Sequence, residues 1–192
     1  MTLPSETTFI HPLTKEPLVS DDNGNLYGPG SKVTLCVNER GDPCHPDRPD
    51  EVLFENRDGS YDFVPQGEPL EDRAYYDRSY QSLSTSGTPI RCEDLAKQWQ
   101  EEVGFQSLLK SMGDLHGKRV LLLGNGMSTK EFYFVPLGAS VVYTDLSITG
   151  VRRMKEIFAD SELAEQHSGQ IDFHAVDALH LPFAIQSFDC IY

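Results

Sequence analysis

The chain has 192 residues, of which 39% are hydrophobic and 24% charged, and its formal net charge is −14. That length admits one medium domain plus a small one, with the composition of an ordinary globular protein. Acids outnumber bases in both parts of the chain, 16 to 7 over residues 1–90 and 14 to 9 over residues 91–192. This disfavours nucleic-acid binding, which relies on Lys and Arg to displace counterions.

No apolar run approaches the ~20 residues that a membrane span requires. The opening MTLPSETTFIHP lacks the charged and apolar regions of a secretory signal, so the expected location is cytoplasmic. Cys36, Cys44, Cys92 and Cys190 show no paired spacing and read as free thiols.

Residues 1–72 read as a small β-rich module. Short apolar stretches at 32–37, 52–55 and 61–64 lie between turn signals such as Asp22-Asn23-Gly24, Gly28-Pro29-Gly30 and Arg57-Asp58-Gly59-Ser60, which predicts short hairpins. So small a unit has a thin core and leans on the rest of the chain. The phrase from His11 to Leu18, HPLTKEPL, resembles the Cys-Pro-x-Cys-x-x-Pro-Leu opening of zinc-ribbon-like domains that precede some methyltransferases. His11 and Thr14 stand in the two cysteine places. Structural zinc takes four Cys or His donors. His11, Cys36, Cys44 and His45 would make four, without knuckle spacing, and the expected module is metal-free.

Residues 73–116 form a connector. Tyr75, Tyr76 and Tyr80 make an aromatic stripe on a short helix, which reads either as packing between two domains or as a lid over a ligand pocket. From Glu93 to Met112, the apolar Leu95, Trp99, Val103, Leu108, Leu109 and Met112 recur at helical spacing. One or two helices are expected there, bent or broken near Gly104 and stopped at Gly113.

Residues 117–192 hold the part of the chain that carries chemistry. Val120 to Leu123 lacks alternation and suits a strand buried on both faces of a parallel sheet. Gly124-Asn125-Gly126 follows as a turn in which glycine allows backbone conformations other residues resist. Ser128 and Glu131 fit the ends of a capping box, opening a helix cut short by Pro136, with amides that could hold an anionic group. A second strand runs from Ser140 to Asp145, which stands 21 residues after Gly124. An acid at that strand tip can accept hydrogen bonds from ribose hydroxyls, and Ser147 fits the cap of the next helix. A dinucleotide loop would need a glycine at Thr129. S-adenosylmethionine has a nucleoside but no pyrophosphate, so two glycines suffice. An amphipathic helix follows (Ile148, Val151, Met154, Ile157, Phe158), then a strand at 171–176 and a last strand at 188–192.

Three stretches in order are similar to a class I S-adenosylmethionine-dependent methyltransferase of the type 11 kind: the Gly-Asn-Gly loop, Tyr143-Thr144-Asp145-Leu146-Ser147, and AVDALHLPFAIQSFDCIY. The resemblance implies an α/β Rossmann-like sheet preceded by the small β module. It implies that Gly124, Asn125 and Gly126 line the methionine part of S-adenosyl-L-methionine. Asp145 would hold the ribose, Leu146 would lie against the adenine, Asp177 would accept from its amino group, and Ala178 would donate an amide to the ring. Leu122 departs from the family, which often has an acid there to help order the cofactor's amino group. Ser128 stands at the usual third glycine.

The family's seven strands run in the order 3-2-1-4-5-7-6, and the chain ends on the fourth. The sheet is therefore expected to be an incomplete first half, a fragment with an open apolar edge. Cys190 and Ile191 would be exposed there, or covered by an oligomer or a partner. The activity implied is methyl transfer to a small-molecule or protein nucleophile, with no membrane partner, no metal and no assigned catalytic residue. His174 and His180 are weaker candidates for a base. The alternative is a non-catalytic methyltransferase-like module, and an NAD-dependent oxidoreductase is disfavoured by Thr129 and the Asp177 stretch.

Overall fold

The computed structural model describes residues 9–13, 15–20, 25–27, 36–37, 43–45, 48–52, 54, 59–65, 71–82 and 89–192. In the N-terminal part, β1 (Val19–Ser20) pairs antiparallel with β2 (Leu26–Tyr27). A second antiparallel group holds β3 (Cys36–Val37), β4 (Pro43–His45) and β5 (Arg48–Val52). Short hairpins are thus present, and the backbones of Cys36 and Cys44 stand opposite each other in the register. Thr14, Asp22 to Gly24, Gly28 to Gly30 and Arg57 to Asp58, which carry part of the hairpin and zinc-ribbon readings, lie outside the described residues, as do the side chains of Cys36, Cys44 and His45.

The connector contains α1 (Glu71–Gln81), followed by α2 (Cys92–Glu101) and α3 (Val103–Met112). The break between α2 and α3 falls at Glu102, which is extended (φ −88°, ψ 112°), not at Gly104, which sits in the first turn of α3. Leu95 and Trp99, one helical turn apart, are buried, whereas Val103 lies past the break and is exposed. Gly113 ends α3 at φ 71°, a conformation that glycine adopts without strain.

Four parallel strands form the main sheet: β6 (Arg119–Leu122), β7 (Ser140–Asp145), β8 (Ile171–Ala175) and β9 (Cys190–Ile191). They lie in the order β8-β7-β6-β9, which is third, second, first, fourth. Between β7 and β8 run α4 (Ile148–Ala159) and the short α5 (Ala164–His167). The fold is α/β and Rossmann-like, with the strand order and parallel sense of the first four strands of a class I methyltransferase.

Alternate residues of each strand feed two separate cores. Val120, Leu122, Val141, Tyr143, Ile171 and Phe173 pack with Leu95 and Trp99 of α2 and with Val151, Met154 and Phe158 of α4. Leu121, Val142 and Val176 pack instead with Leu26, Tyr61, Phe63 and Phe183, joined by Phe9, Leu18 and Phe54. The N-terminal residues therefore cover the second face of the sheet. They also extend it: the amide of Phe63 donates to the Ala175 carbonyl at 2.8 Å, and the Ala175 amide donates to Tyr61 at 2.9 Å. Residues 61–63 thus run parallel beside β8 through the Asp62–Ala175 bridge. On the opposite side of the sheet Ile191 is 64% exposed and Cys190 is partly buried against the helical core.

Candidate functional site

The loop between β6 and β7 turns where it does because Gly124 (φ 68°) and Gly126 (φ 62°) adopt left-handed backbone angles that a side chain would resist. Three successive residues at the end of β7 hold it. The Tyr143 hydroxyl donates to the Gly126 carbonyl, the Thr144 carbonyl accepts from the Asn125 amide at 3.1 Å, and Asp145 Oδ2 accepts from the Gly126 amide at 2.9 Å. The Thr144 hydroxyl reaches back to the Leu122 carbonyl at 2.7 Å. The loop is thus fixed by the strand beside it. Among the described residues, no heavy atom outside its immediate neighbours lies within 4 Å of where a Cβ on Gly124 would stand.

The helix expected after the loop is instead a 3₁₀ turn, Lys130–Phe134, since few residues separate the loop from Pro136. The capping box does not form. Thr129 stands at the cap position without a side-chain bond, and the Ser128 hydroxyl donates to the Glu131 carboxylate at 2.6 Å. The two side chains bond each other rather than backbone amides. So short a turn offers no helix N-terminus for an anion, and that expectation is corrected too.

Asp145 is buried. Its Oδ1 accepts from the Ser147 amide at 2.9 Å while Oδ2 takes Gly126. A carboxylate has about four lone-pair sites, so roughly half of its accepting capacity is unused. Burial pushes its pKa up, hydrogen bonds from backbone amides oppose this, and the charge of Asp77 adds to the rise. Capping of α4 falls to Ser147, whose hydroxyl accepts from the Gly150 amide at 3.0 Å.

The β8 strand leads into Asp177 and Ala178, and the Val176 amide donates to the Asp145 carbonyl at 2.8 Å. Gly124, Asn125, Gly126, Asp145, Leu146, Asp177 and Ala178 accordingly follow the carboxyl ends of three adjacent parallel strands. Asp177 is already engaged: Oδ1 accepts from the Leu179 amide at 2.9 Å and Oδ2 meets His180 Nδ1 at 2.7 Å. Burial pushes its pKa up, but the bonds from His180 and Leu179 prevail and hold it below the usual carboxylate range. His174 is a core residue. Its Nδ1 accepts from the Tyr61 amide at 3.2 Å, its ring sits among Phe9, Tyr61 and Phe63, and burial lowers its pKa to about 3.

Helix α1 brings residues to this edge that the sequence left open. Asp77 Oδ1 accepts from the Ser147 hydroxyl and, at 3.2 Å, from the Thr149 amide. Tyr80 packs so closely on α4 that a Cβ on Gly150 would stand 2.5 Å from its ring, and its hydroxyl lies 3.5 Å from a Cβ built on Gly126. Burial first, then the charge of Asp145, pushes the Tyr80 pKa up to about 12. Tyr76 stacks on Tyr80 at 5.8 Å, and both Tyr75 and Tyr76 are exposed. The aromatic spacing signalled a stripe, but only Tyr80 reaches the loop. Asp77, whose role depends on the approach of a distant helix, carried no sequence signal.

The spare acceptor capacity beside the loop suits the hydroxyls of a nucleoside. Two left-handed glycines let a ligand approach the backbone, and a buried acid with spare acceptor capacity stands beside them. Ligands of open α/β sheets bind outside the carboxyl ends of the strands, where the strand order reverses. Here the reversal lies between β6 and β9, next to this loop.

No known protein-family profile matches the chain. No curated protein matches it either. Among solved structures, it is similar to magnesium protoporphyrin IX methyltransferase from Synechocystis PCC 6803 with bound SAH, at 18% identity and a TM-score of 0.39, covering 57% of this chain and 52% of that one. It is also similar to a candidate RNA methyltransferase from Pyrococcus horikoshii, at 17% identity and a TM-score of 0.28, covering 55% of this chain and 50% of that one. The chain spans about half the length of each. The α/β, Rossmann-like fold rests on the strand order and parallel sense of the sheet.

Proposed function

We propose that the chain binds S-adenosyl-L-methionine along the carboxyl edge of its sheet and serves S-adenosylmethionine-dependent methyl transfer to a small-molecule or protein nucleophile. The observation that carries this reading is Asp145, a buried carboxylate bonded to the Gly126 amide at 2.9 Å across a loop with two left-handed glycines. That acid fixes the loop and keeps acceptor capacity for two ribose hydroxyls. Gly124, Asn125 and Gly126 would take the methionine end, Leu146 the adenine face, and Asp177 with Ala178 the adenine edge.

When bound, S-adenosylmethionine supplies a sulfonium methyl for displacement by a nucleophilic O, N or C. The protein's contribution to such a reaction is alignment of the two reactants, which can supply much of the rate. Binding without turnover is the second reading. It is favoured by the burial of His174, which removes that imidazole as an available base.

Isothermal titration with S-adenosylhomocysteine tests the reading. The chain should bind it, and NAD should not compete. Asp145→Ala should weaken binding by roughly tenfold or more, the scale of losing hydrogen bonds to a charged group. No binding by the unaltered chain, or NAD competing better than S-adenosylhomocysteine, would overturn it. A methyl-transfer assay then separates an enzyme from a binding module.

A further inference from the structure

Glu131 is 3% exposed, and it lies next to the glycine loop. Its Oε2 accepts from the Ser128 hydroxyl at 2.6 Å and from Asn125 Nδ2 at 3.3 Å. Burial first, then the charge of Glu131, pushes the Tyr192 pKa up. Asn125 belongs to the loop after β6. Tyr192 directly follows β9, and its carbonyl accepts from the Leu123 amide at 2.9 Å. The carboxylate therefore sits at the reversal point between the first and fourth strands.

All of its partners are neutral. Among the described residues, no Lys, Arg or His forms an ion pair with Glu131. The adjacent Lys130 ammonium lies 4.4 Å from the centroid of the Phe105 ring instead. A buried carboxylate is costly unless it is paired as well as hydrogen-bonded. Leu122, at the tip of β6, is fully buried among apolar residues and brings no charge to the loop.

We propose that Glu131, held by Ser128 and Asn125, receives the α-ammonium group of the ligand's amino-acid tail and so selects for a ligand that carries one. This rests on the reading that the site takes S-adenosylmethionine. Glu131 is a binding and positioning residue, with no part in the bonds that form or break. The two neutral donors fix the direction of the carboxylate, and the ligand supplies the charge that the protein omits.

The test is isothermal titration of the whole chain and of Glu131→Gln with two ligands. S-adenosylhomocysteine carries the ammonium; 5′-methylthioadenosine has the same nucleoside and thioether but no amino-acid tail. Glu131→Gln should bind S-adenosylhomocysteine roughly thirtyfold more weakly or worse, the scale of removing one partner of a buried charge pair. Its affinity for 5′-methylthioadenosine should be unchanged. Equal binding of S-adenosylhomocysteine by both proteins would overturn the role of Glu131 and leave the cofactor reading intact. If the unaltered chain binds neither ligand, the cofactor reading falls and this role falls with it. Should the substitution unfold the chain, the unaltered protein decides the matter. It should bind S-adenosylhomocysteine roughly thirtyfold more tightly than the analogue lacking only the α-amino group, and equal affinity would overturn the proposal.

Discussion

Val120 and Leu122 belong to one core of this molecule, and Leu121 between them belongs to the other. The side receiving Val120 and Leu122 is covered by α2, α3, the 3₁₀ turn and α4, all close to the sheet in sequence. The side receiving Leu121 is covered largely by Phe9, Leu26, Phe54, Tyr61 and Phe63, which lie far upstream. The first core closes through short loops. The second brings distant residues together, so its contacts must repay a larger loss of chain entropy. An unbroken apolar run announces burial on both faces and carries no information about what does the burying.

The largest expected effects come from the two leucines. Leu121→Ala and Leu122→Ala each remove a fully buried side chain and should each cost about 2–5 kcal/mol in urea unfolding. The comparison sharpens when each is combined with Phe63→Ala. Phe63 shares a core with Leu121 and not with Leu122. The Leu121 pair should therefore deviate from additivity by roughly 0.5–3 kcal/mol, while the Leu122 pair adds within about 0.5 kcal/mol. Coupling of Phe63 to Leu122 but not to Leu121 would break the assignment of the N-terminal residues to that face.

Much of the first side was legible in the sequence. The second strand spans Ser140–Asp145 as the apolar run indicated, Ser147 caps α4, and Gly113 stops α3. Each is a local matter of periodicity, a cap or a left-handed turn. The second side was legible only as short hairpins and as a thin core in need of support. The run of residues 61–63 beside β8 depends on backbone pairing across more than a hundred residues, which no local pattern encodes. The site divides in the same way. The glycine loop and Asp145 follow from residue types at a set spacing. Ser128 and Glu131 have the right spacing for a capping box, yet a buried loop gave their side chains each other as partners. Tyr192, Asp77 and Tyr80 reach the site only through the pairing of β9 and the docking of α1.

Acid should distinguish the two sides next. His174 faces the N-terminal aromatics and has its pKa lowered to about 3 by burial, against about 6.5 for an unfolded histidine. Its folded form binds the proton less readily than its unfolded form. The stability that the neutral ring contributes is therefore complete above pH ~6.5 and falls as pH drops from ~6.5 toward ~3. At pH 5 the loss should be roughly 2 kcal/mol. Urea titrations at pH 7 and pH 5 check this, with His174→Gln keeping an acceptor for the Tyr61 amide but removing the titration. The variant should lose about 2 kcal/mol less over that interval. An equal loss in both proteins would show that His174 does not mark the acid-sensitive side.

The smallest expected effect concerns the helix that joins the two coverings. No side chain of α1 is buried, so polar contacts do most of its docking. Arg73 pairs with Asp62, beside the edge of the sheet, and stands 3.8 Å from Asp77. Asp77 accepts from Ser147 and Thr149 at the start of α4. The chain Asp62–Arg73–Asp77–Ser147 thus runs from the N-terminal segment to the helical side, and it brings Tyr80 over Gly126. Asp77→Ala should cost about 1 kcal/mol, the usual scale for losing a cap acceptor, because Ser147 still accepts from Gly150. Its effect should be local. Amide hydrogen exchange should accelerate in α1 and at Ser147 to Gly150 while the amides of β6 and β7 stay protected, since regions with few buried apolar contacts open independently of the core. Acceleration across the sheet as well would mean that α1 is an integral part of both cores rather than a polar strap between them.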